Sequence, residues 1–160
     1  MSKLPDRTWL KDPGHLLALG GGSGLAPRAP GTFGSLVGVG LYALMVALPL
    51  PLYLTLTALL FALGIPLCAR TARALGVHDH PAIVWDEVAA MPVALITAGG
   101  DWRWVLTGFA LFRLFDIWKP WPIRWADRSL GGGIGIMLDD LGAALLAAGV
   151  LASCQHLAYV

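Results

Sequence analysis

The sequence predicts an all-α membrane protein, a polytopic helical bundle with four or five membrane segments, some of them short or re-entrant. Of its 160 residues, 57% are hydrophobic and 13% are charged, whereas soluble domains carry about 25% charged residues. The mean hydropathy is +0.70. The apolar residues also gather in separate runs, as membrane segments do. The length fits one compact membrane domain that covers residues 1–160.

Residues 1–32 predict a cytoplasmic or interfacial leader that ends in a glycine-rich loop. Pro5 and the charged residues Asp6, Arg7, Lys11 and Asp12 interrupt this stretch, so we expect no signal peptide. Residues 9–19 can form a short helix broken near Pro13. We expect this stretch to be a partly ordered segment at the membrane surface.

The glycine-rich loop over residues 20–35 has two open interpretations. Its glycines and prolines exclude a long helix. The hydroxyls of Ser23, Thr32 and Ser35, together with backbone N–H groups, could hold an anion. Thr32 or Ser35 could equally cap the helix that follows.

Five apolar segments follow the loop. They run over residues 33–48, 52–69, 84–98, 104–115 and 141 to about 157. Several are shorter than the ~20 residues expected of an isolated membrane-spanning helix. The expected number of membrane segments is therefore four or five.

The basic residues predict the orientation of these segments. They precede segment one, separate segments two and three, and separate segments four and five: Lys3, Arg7, Lys11 and Arg28, then Arg70 and Arg73, then Arg113, Lys119, Arg124 and Arg128. If all five segments span, these regions share one face, which the positive-inside rule makes cytoplasmic.

The acidic residues gather on the same predicted face, although the charge rule does not require it. They are Asp79, Asp86, Glu87, Asp116, Asp127, Asp139 and Asp140. Among the acids of the segments and their connections, only Asp101 remains on the opposite face. This concentration indicates a functional site at the cytoplasmic boundary.

The carboxylates in this set could hold a hard cation. Asp86 and Glu87 open segment three, Asp116 closes segment four, and Asp139 and Asp140 precede segment five. Such oxygen ligands suit Mg²⁺ or Mn²⁺. Alternatively, Asp86 and Glu87 stabilise a helix N-terminus, and a nearby Arg113 or Lys119 neutralises Asp116.

The other polar and aromatic residues of the chain indicate a function less clearly. Lys119, Arg124 and Arg128 could bind phosphate or anchor lipid headgroups. Trp118, Trp121 and Trp125 fit an interfacial aromatic belt. His78 and His80 lack a third zinc ligand, so Asp79 is the better candidate, as a carboxylate ligand or an orienting group. Cys68 and Cys154 are interpreted as packing residues.

Several functions are excluded or disfavoured by the residues themselves. The formal net charge of +1 gives no electrostatic footprint for nucleic acid. No Arg follows either cysteine at the spacing of a cysteine phosphatase, and no Asp-x-Asp pair supports an aspartyl-phosphate route. No GxSxG elbow supports a serine esterase.

Four motif blocks resemble the phosphatidylglycerophosphatase A family. The blocks read GSGLAPRAPGTFGS over residues 22–35, HDHPAIVWDE over 78–87, FRLFDIWKPWPIRWADR over 112–128 and GGGIGIMLDD over 131–140. The resemblance implies Mg²⁺-dependent dephosphorylation of the phospholipid phosphatidylglycerophosphate to phosphatidylglycerol. It also implies a multi-pass enzyme of the bacterial inner membrane whose site faces the cytoplasm.

With that chemistry, the residues suggest a mechanism. One or two Mg²⁺ ions would polarise the phosphate and lower the pKa of a bound water; their predicted ligands are Asp86, Glu87, Asp116, Asp139 and Asp140. The predicted substrate-binding residues are Thr32, Ser35, Arg113, Lys119, Arg124 and Arg128. The predicted catalytic residues are Asp79, Asp86, Lys119 and Asp140. Asp79 could be the general base, or a carboxylate could attack directly.

Two other functions remain as alternatives. A small transport or ion-conducting bundle would use intramembrane acids as a cation path, but it predicts acids distributed through the membrane. A lipid headgroup transferase normally needs a denser Asp-rich repeat than this chain has. The oligomeric state and the number of metal ions are left open.

Overall fold

The computed structural model describes residues 5–77, 80–121, 123 and 131–158. Every regular element in these ranges is helical, which confirms the predicted all-α class. The α-helices are α1 (Pro13–Ala18), α2 (Pro30–Met45), α3 (Leu50–Leu75), α4 (Trp85–Ala94), α5 (Trp102–Trp118) and α6 (Gly132–Ala158). Two 3-10 helices, Arg7–Lys11 and Gly20–Leu25, flank α1.

Helix α4 is the centre of the bundle. It packs against α2, α3, α5 and α6, and eight of its ten residues are buried. Ten residues rise about 15 Å, which is roughly half of the ~30 Å hydrocarbon core of a bilayer. Tyr53 of α3 donates its hydroxyl to the carbonyl of Pro92 at 2.5 Å. Helix α4 is therefore a short core helix, and its first turn opens at one end of the bundle.

Two helices in the described part of the chain are long and apolar enough to cross a membrane, namely α3 and α6. Helix α2 is apolar but has only 16 residues, and α4 is too short. The predicted number of four or five membrane segments is therefore not confirmed. The sequence pattern could not separate a buried core helix such as α4 from a membrane span, because both are apolar.

Helix α6 begins at Gly132 rather than at residue 141, so the predicted start of segment five is wrong. Glycine permits the close contact that this extension makes with α3. A Cβ built on Gly133 would lie 1.9 Å from the carbonyl oxygen of Ile65. Asp139 and Asp140 consequently lie about two turns inside α6 and not at its N-terminus.

The leader is folded against the bundle, which corrects the expectation of a partly ordered surface segment. Ala18 and Leu19 are fully buried, and the N–H of Val84 donates to the carbonyl of Ala18 at 3.0 Å. Asp12 caps α1 and accepts from the Arg70 guanidinium at 2.7 Å. The leader thus joins α3 to the segment that precedes α4.

Candidate active site

An acidic cavity of about 240 Å³ lies where α2, α4, α5 and α6 meet. In the part of the chain that the structure describes, five carboxylates and two cations line it: Asp86, Glu87, Asp116, Asp139, Asp140, Arg113 and Lys119. The first turns of α2 and α4 face the last turn of α5 and the interior of α6. The structure therefore brings all five predicted metal ligands together with two of the predicted substrate-binding residues.

Three of the carboxylates form a compact cluster. Each of Asp86, Glu87 and Asp140 offers one oxygen, and these oxygens lie within 4.8 Å of one another. Asp140 is 3% exposed. Glu87 Oε2 and Asp140 Oδ2 are buried and have no hydrogen-bond partner among the described residues. Clustered buried oxygens of this kind fit a hard divalent cation, because the positive charge of the cation would neutralise the negative charge of the buried carboxylates.

The pKa of Glu87 reflects this crowding. Burial, reinforced by the negative charge of Asp140, raises the pKa of Glu87 to about 8 from its ordinary value of 4.5. Arg113 opposes the shift, but it is the weakest of the causes. Without a bound cation, the cluster therefore retains a proton at neutral pH.

Arg113 connects two of the acidic residues. Its Nη1 lies 2.5 Å from Asp116 Oδ2 on the same helix and 3.7 Å from Glu87 Oε1 on α4. Its side chain is 15% exposed. Arg113 therefore offsets the negative charge of Asp116 near the end of α5 and links α5 to α4 at the cavity.

Lys119 ends α5 and turns its ammonium group toward α6. Its backbone is left-handed, with φ 45° and ψ 66°, a conformation that costs a non-glycine residue about 1–2 kcal/mol. Its Nζ contacts Asp139 Oδ2, and Asp139 Oδ1 accepts from the N–H of Asp140 at 3.0 Å. The lysine is therefore held beside the carboxylate cluster.

Strained backbone gathers at this cavity. Ala29 and Lys119 are the two non-glycine residues with positive φ in the part of the chain that the structure describes, and both line the cavity. Such strain concentrates at functional sites, where the surrounding packing maintains it.

Gly31 lies against Glu87 and Arg113, a contact that the sequence did not predict. A Cβ built on it would lie 2.2 Å from Glu87 Oε1 and 3.1 Å from Arg113 Nη1. The glycine therefore lets α2 approach the carboxylate and the guanidinium closely. A glycine in a motif is compatible with many roles, so this contact could be found only from the fold.

Thr32 and Ser35 do not have the helix-capping role that was one interpretation of the glycine-rich loop. Helix α2 already begins at Pro30, and its N-cap is Ala29 with no side-chain cap, so neither hydroxyl caps the helix. Ser35 is fully buried and donates its hydroxyl to the carbonyl of Gly31 at 2.8 Å. Thr32 lies in the first turn, half-buried, next to the cavity residue Gly31. Neither residue lines the cavity itself.

Several predicted residues fall elsewhere. Asp79, Arg124 and Arg128 lie outside the described residues, as do His78, Trp125 and Asp127. His80 is buried, and its Nδ1 accepts from the N–H of Ala82 at 3.1 Å.

Trp118 and Trp121 are strongly exposed on either side of Lys119, as an interfacial aromatic belt requires. Cys68 is buried, but Cys154 is exposed, so the packing role predicted for Cys154 is wrong.

The chain is similar to proteins of known family. Residues 16–155 match the family model of phosphatidylglycerophosphatase A. A protein of Escherichia coli strain K12 named phosphatidylglycerophosphatase A is 48% identical over 151 residues, which cover 94% of this chain and 88% of the relative. The Haemophilus influenzae protein of the same name is 48% identical over 149 residues, which cover 92% of this chain and 91% of that relative. No solved structure matches the chain significantly.

Proposed function

The chain belongs to the phosphatidylglycerophosphatase A family, and we propose that it hydrolyses the phosphomonoester of phosphatidylglycerophosphate to phosphatidylglycerol and inorganic phosphate with the help of Mg²⁺. Family membership makes the chain a phosphatase, a phosphoric monoester hydrolase. The proposal adds the metal and the residues that act. Mn²⁺ is the other metal that the same ligands suit.

The observation that carries the proposal is the charge balance of the acidic cavity. Among the described residues, its five carboxylates outnumber its two cations, so a phosphate entering alone would meet an excess of negative charge. A phosphate therefore needs a bound cation beside it. The cluster of Asp86, Glu87 and Asp140 would hold that cation, and Asp116 and Asp139 remain the predicted further ligands.

The metal and the other site residues would then have separate roles in catalysis. When bound, Mg²⁺ supplies Lewis-acid polarisation of the phosphoryl oxygens and makes water more acidic. Arg113 and Lys119 would donate charge-assisted hydrogen bonds to the phosphoryl oxygens. Their ion pairs with Asp116 and Asp139 orient both cations before the substrate arrives. Asp79 remains a candidate general base, and direct attack by a carboxylate remains the alternative.

We also propose that the bundle lies in the bacterial inner membrane with the acidic cavity at the cytoplasmic face. Large apolar side chains are exposed on α2, α3, α5 and α6, among them Leu44, Leu59, Leu106 and Leu145. Soluble monomers rarely expose contiguous apolar patches larger than a few hundred Å². A bilayer would cover these faces and keep the diacylglycerol chains of the substrate, so that only the headgroup enters the cavity.

The ion-conducting alternative is disfavoured by where the acids lie. A cation path needs acids at several depths of the bundle. The buried acids of the described residues all line one cavity at one end, and Asp101 at the other end is exposed.

The deciding experiment measures phosphate release from phosphatidylglycerophosphate in detergent micelles by the purified full chain. We expect release with Mg²⁺, none after chelation, and recovery when Mg²⁺ is restored. Phosphatidic acid, whose phosphate is attached directly to diacylglycerol, is the matched substrate control and should react much more slowly. Undiminished phosphate release in excess chelator would contradict the proposed metal site. Equal rates for both lipids would contradict phosphatidylglycerophosphate as the specific substrate.

A further inference from the structure

A second cavity follows the acidic cavity along the same two helices. It is a groove of about 480 Å³ between α2 and α5, lined by apolar side chains that include Leu36, Val39, Ala43, Val105, Leu106 and Phe109. Leu36 and Leu106 are more than half exposed, so the groove is open along its side. We call it the apolar groove.

The apolar groove and the acidic cavity lie along one face of α5. Residues that are three, four, seven or eleven positions apart lie on one face of a helix. Phe109 is four residues before Arg113 and Leu106 is seven residues before it, so these groove residues lie on the same face of α5 as Arg113. Helix α2 repeats this relationship, because the groove residue Tyr42 lies 11 residues after the cavity residue Gly31.

The length of the apolar groove corresponds to one leaflet of a bilayer. From Leu36 to Val46, the residue that follows α2, the chain rises about 15 Å, which is half of a ~30 Å hydrocarbon core. At the far end, the N–H of Gly100 donates to the Tyr42 hydroxyl at 3.1 Å, and Trp102 lines the groove. A single extended hydrocarbon chain starting at the cavity would fill this distance.

We propose that the apolar groove binds one acyl chain of the substrate lipid while the phosphate headgroup occupies the acidic cavity. This inference rests on the proposed function. The groove holds the glycerol end of the lipid next to Arg113 and orients the phosphate toward the carboxylate cluster. Chain binding thereby contributes to substrate affinity, because each buried methylene adds to the apolar surface removed from water.

The test fills the apolar groove and compares substrates of different chain length. Ala43 is exposed and lines the groove, so Ala43→Trp can fill it without disturbing the core. Ala58 is an exposed residue of α3 outside the groove, and Ala58→Trp is the matched control. Phosphate release is measured with Mg²⁺ for dioleoyl and dihexanoyl phosphatidylglycerophosphate, and thermal unfolding in detergent checks that both variants are folded.

We expect Ala43→Trp to lower kcat/KM for the dioleoyl lipid about tenfold, mainly through a higher KM. The loss for the dihexanoyl lipid should be much smaller, so the ratio of the two rate constants falls. Ala58→Trp should leave that ratio as in the wild type. An unchanged ratio in folded Ala43→Trp would overturn the groove proposal and would mean that bulk lipid or a second copy of the chain covers this face. A wild type that releases phosphate from neither lipid would refute the proposed function itself, and the groove proposal with it.

Discussion

Gly31 on α2 stands directly against the carboxylate of Glu87 on α4. A Cβ at this glycine would lie 2.2 Å from Glu87 Oε1, closer than any real contact. The end of a glutamate side chain can move, so Gly31→Ala should leave the bundle folded and displace Glu87 from Asp86 and Asp140. We expect at least a tenfold loss of activity and weaker Mg²⁺ binding, measured by titrating phosphate release with Mg²⁺.

Gly40→Ala is the matched control for this variant. Gly40 lies on the same helix, and a Cβ built there meets no atom within 4 Å. Alanine should stabilise α2 by about 0.5–1 kcal/mol and leave the Mg²⁺ titration unchanged. If both variants titrate like the wild type, the close approach of Gly31 has no functional role.

Asp86→Asn and Asp140→Asn should each abolish Mg²⁺-dependent phosphate release. Changes to groups that merely support metal ligands cost about 10–100-fold, so removing a ligand should cost more. The metal-free variants should be as stable as the wild type or more stable, because each loses one of several mutually repelling buried carboxylates. Kinetics and thermal unfolding in chelator measure the two effects.

Asp101→Asn controls for the loss of a carboxylate at the opposite end of the bundle. Asp101 caps α5 by accepting from the N–H of Arg103 at 2.9 Å, and asparagine caps helices as well as aspartate does. Full activity is expected. Wild-type turnover in Asp86→Asn or Asp140→Asn would remove the basis of the metal site.

Lys119→Met should separate catalysis from stability. We expect kcat to fall about 10²–10³-fold, the usual effect of losing one donor to a transition-state oxyanion. Asp139 loses its ion-pair partner in this variant, which should cost about 1–3 kcal/mol of stability. Adding Asp139→Asn should restore much of the stability but not the activity.

An exposed lysine supplies the control for this pair. Lys11, in the leader, is exposed, and Lys11→Met should change neither kcat nor stability. If Lys119→Met keeps its kcat and loses only stability, the lysine is structural and the phosphate contact must be assigned elsewhere.

Proton binding at Glu87 should couple pH to both stability and metal affinity. The pKa of Glu87 is raised to about 8 in the metal-free fold from an ordinary 4.5. The folded protein therefore binds the extra proton between these values, and the stability contributed by Glu87 is full below about 4.5 and is lost as the pH rises to about 8. Mg²⁺ affinity should change in the opposite sense and rise with pH, because the ion displaces this proton.

Glu87→Gln tests the origin of this pH dependence. Glutamine cannot titrate, so the metal-free variant should show a flatter dependence of thermal unfolding on pH than the wild type between pH 5 and 8. A pH profile identical to that of the wild type would mean that another group carries the effect.

Cysteine labelling in intact bacterial cells tests the proposed orientation. Ala74, at the cavity end of α3, and Thr97, after α4, are exposed at opposite ends of the bundle. In a Cys154→Ser background, Thr97→Cys should react with a membrane-impermeant maleimide from outside, and Ala74→Cys should react only after the inner membrane is permeabilised. The reverse pattern would overturn the orientation drawn from the basic residues.

The sequence predicted which segments form helices better than it predicted which helices are long enough to cross a membrane. Hydrophobic runs identified all five main helices, because burial in protein and burial in lipid both select apolar residues. The same property hid the fact that α4 is a core helix. Asp139 and Asp140 misled the assignment of α6, since a carboxylate pair is typical of a helix start; here both are buried inside a helix that Gly133 packs against α3.

The composition of the site was also predictable, but its contacts were not. Asp86, Glu87 and Asp116 stand out because charge is scarce in the chain. The pairing of Lys119 with Asp139 instead of Asp116, and the contact of Gly31 with Glu87, depend on the crossing of separate helices. No spacing along the chain encodes these crossings.

The docked leader has a consequence for how the protein is made. Asp12 pairs with Arg70, and His15 Nδ1 meets Thr71 Oγ1 at 2.9 Å, so the partners of the leader are synthesised long after it. At about 5–20 residues per second, the leader waits on the order of several seconds at the ribosome before α3 emerges. The N-terminal segment therefore completes its tertiary contacts only after α3 has been synthesised.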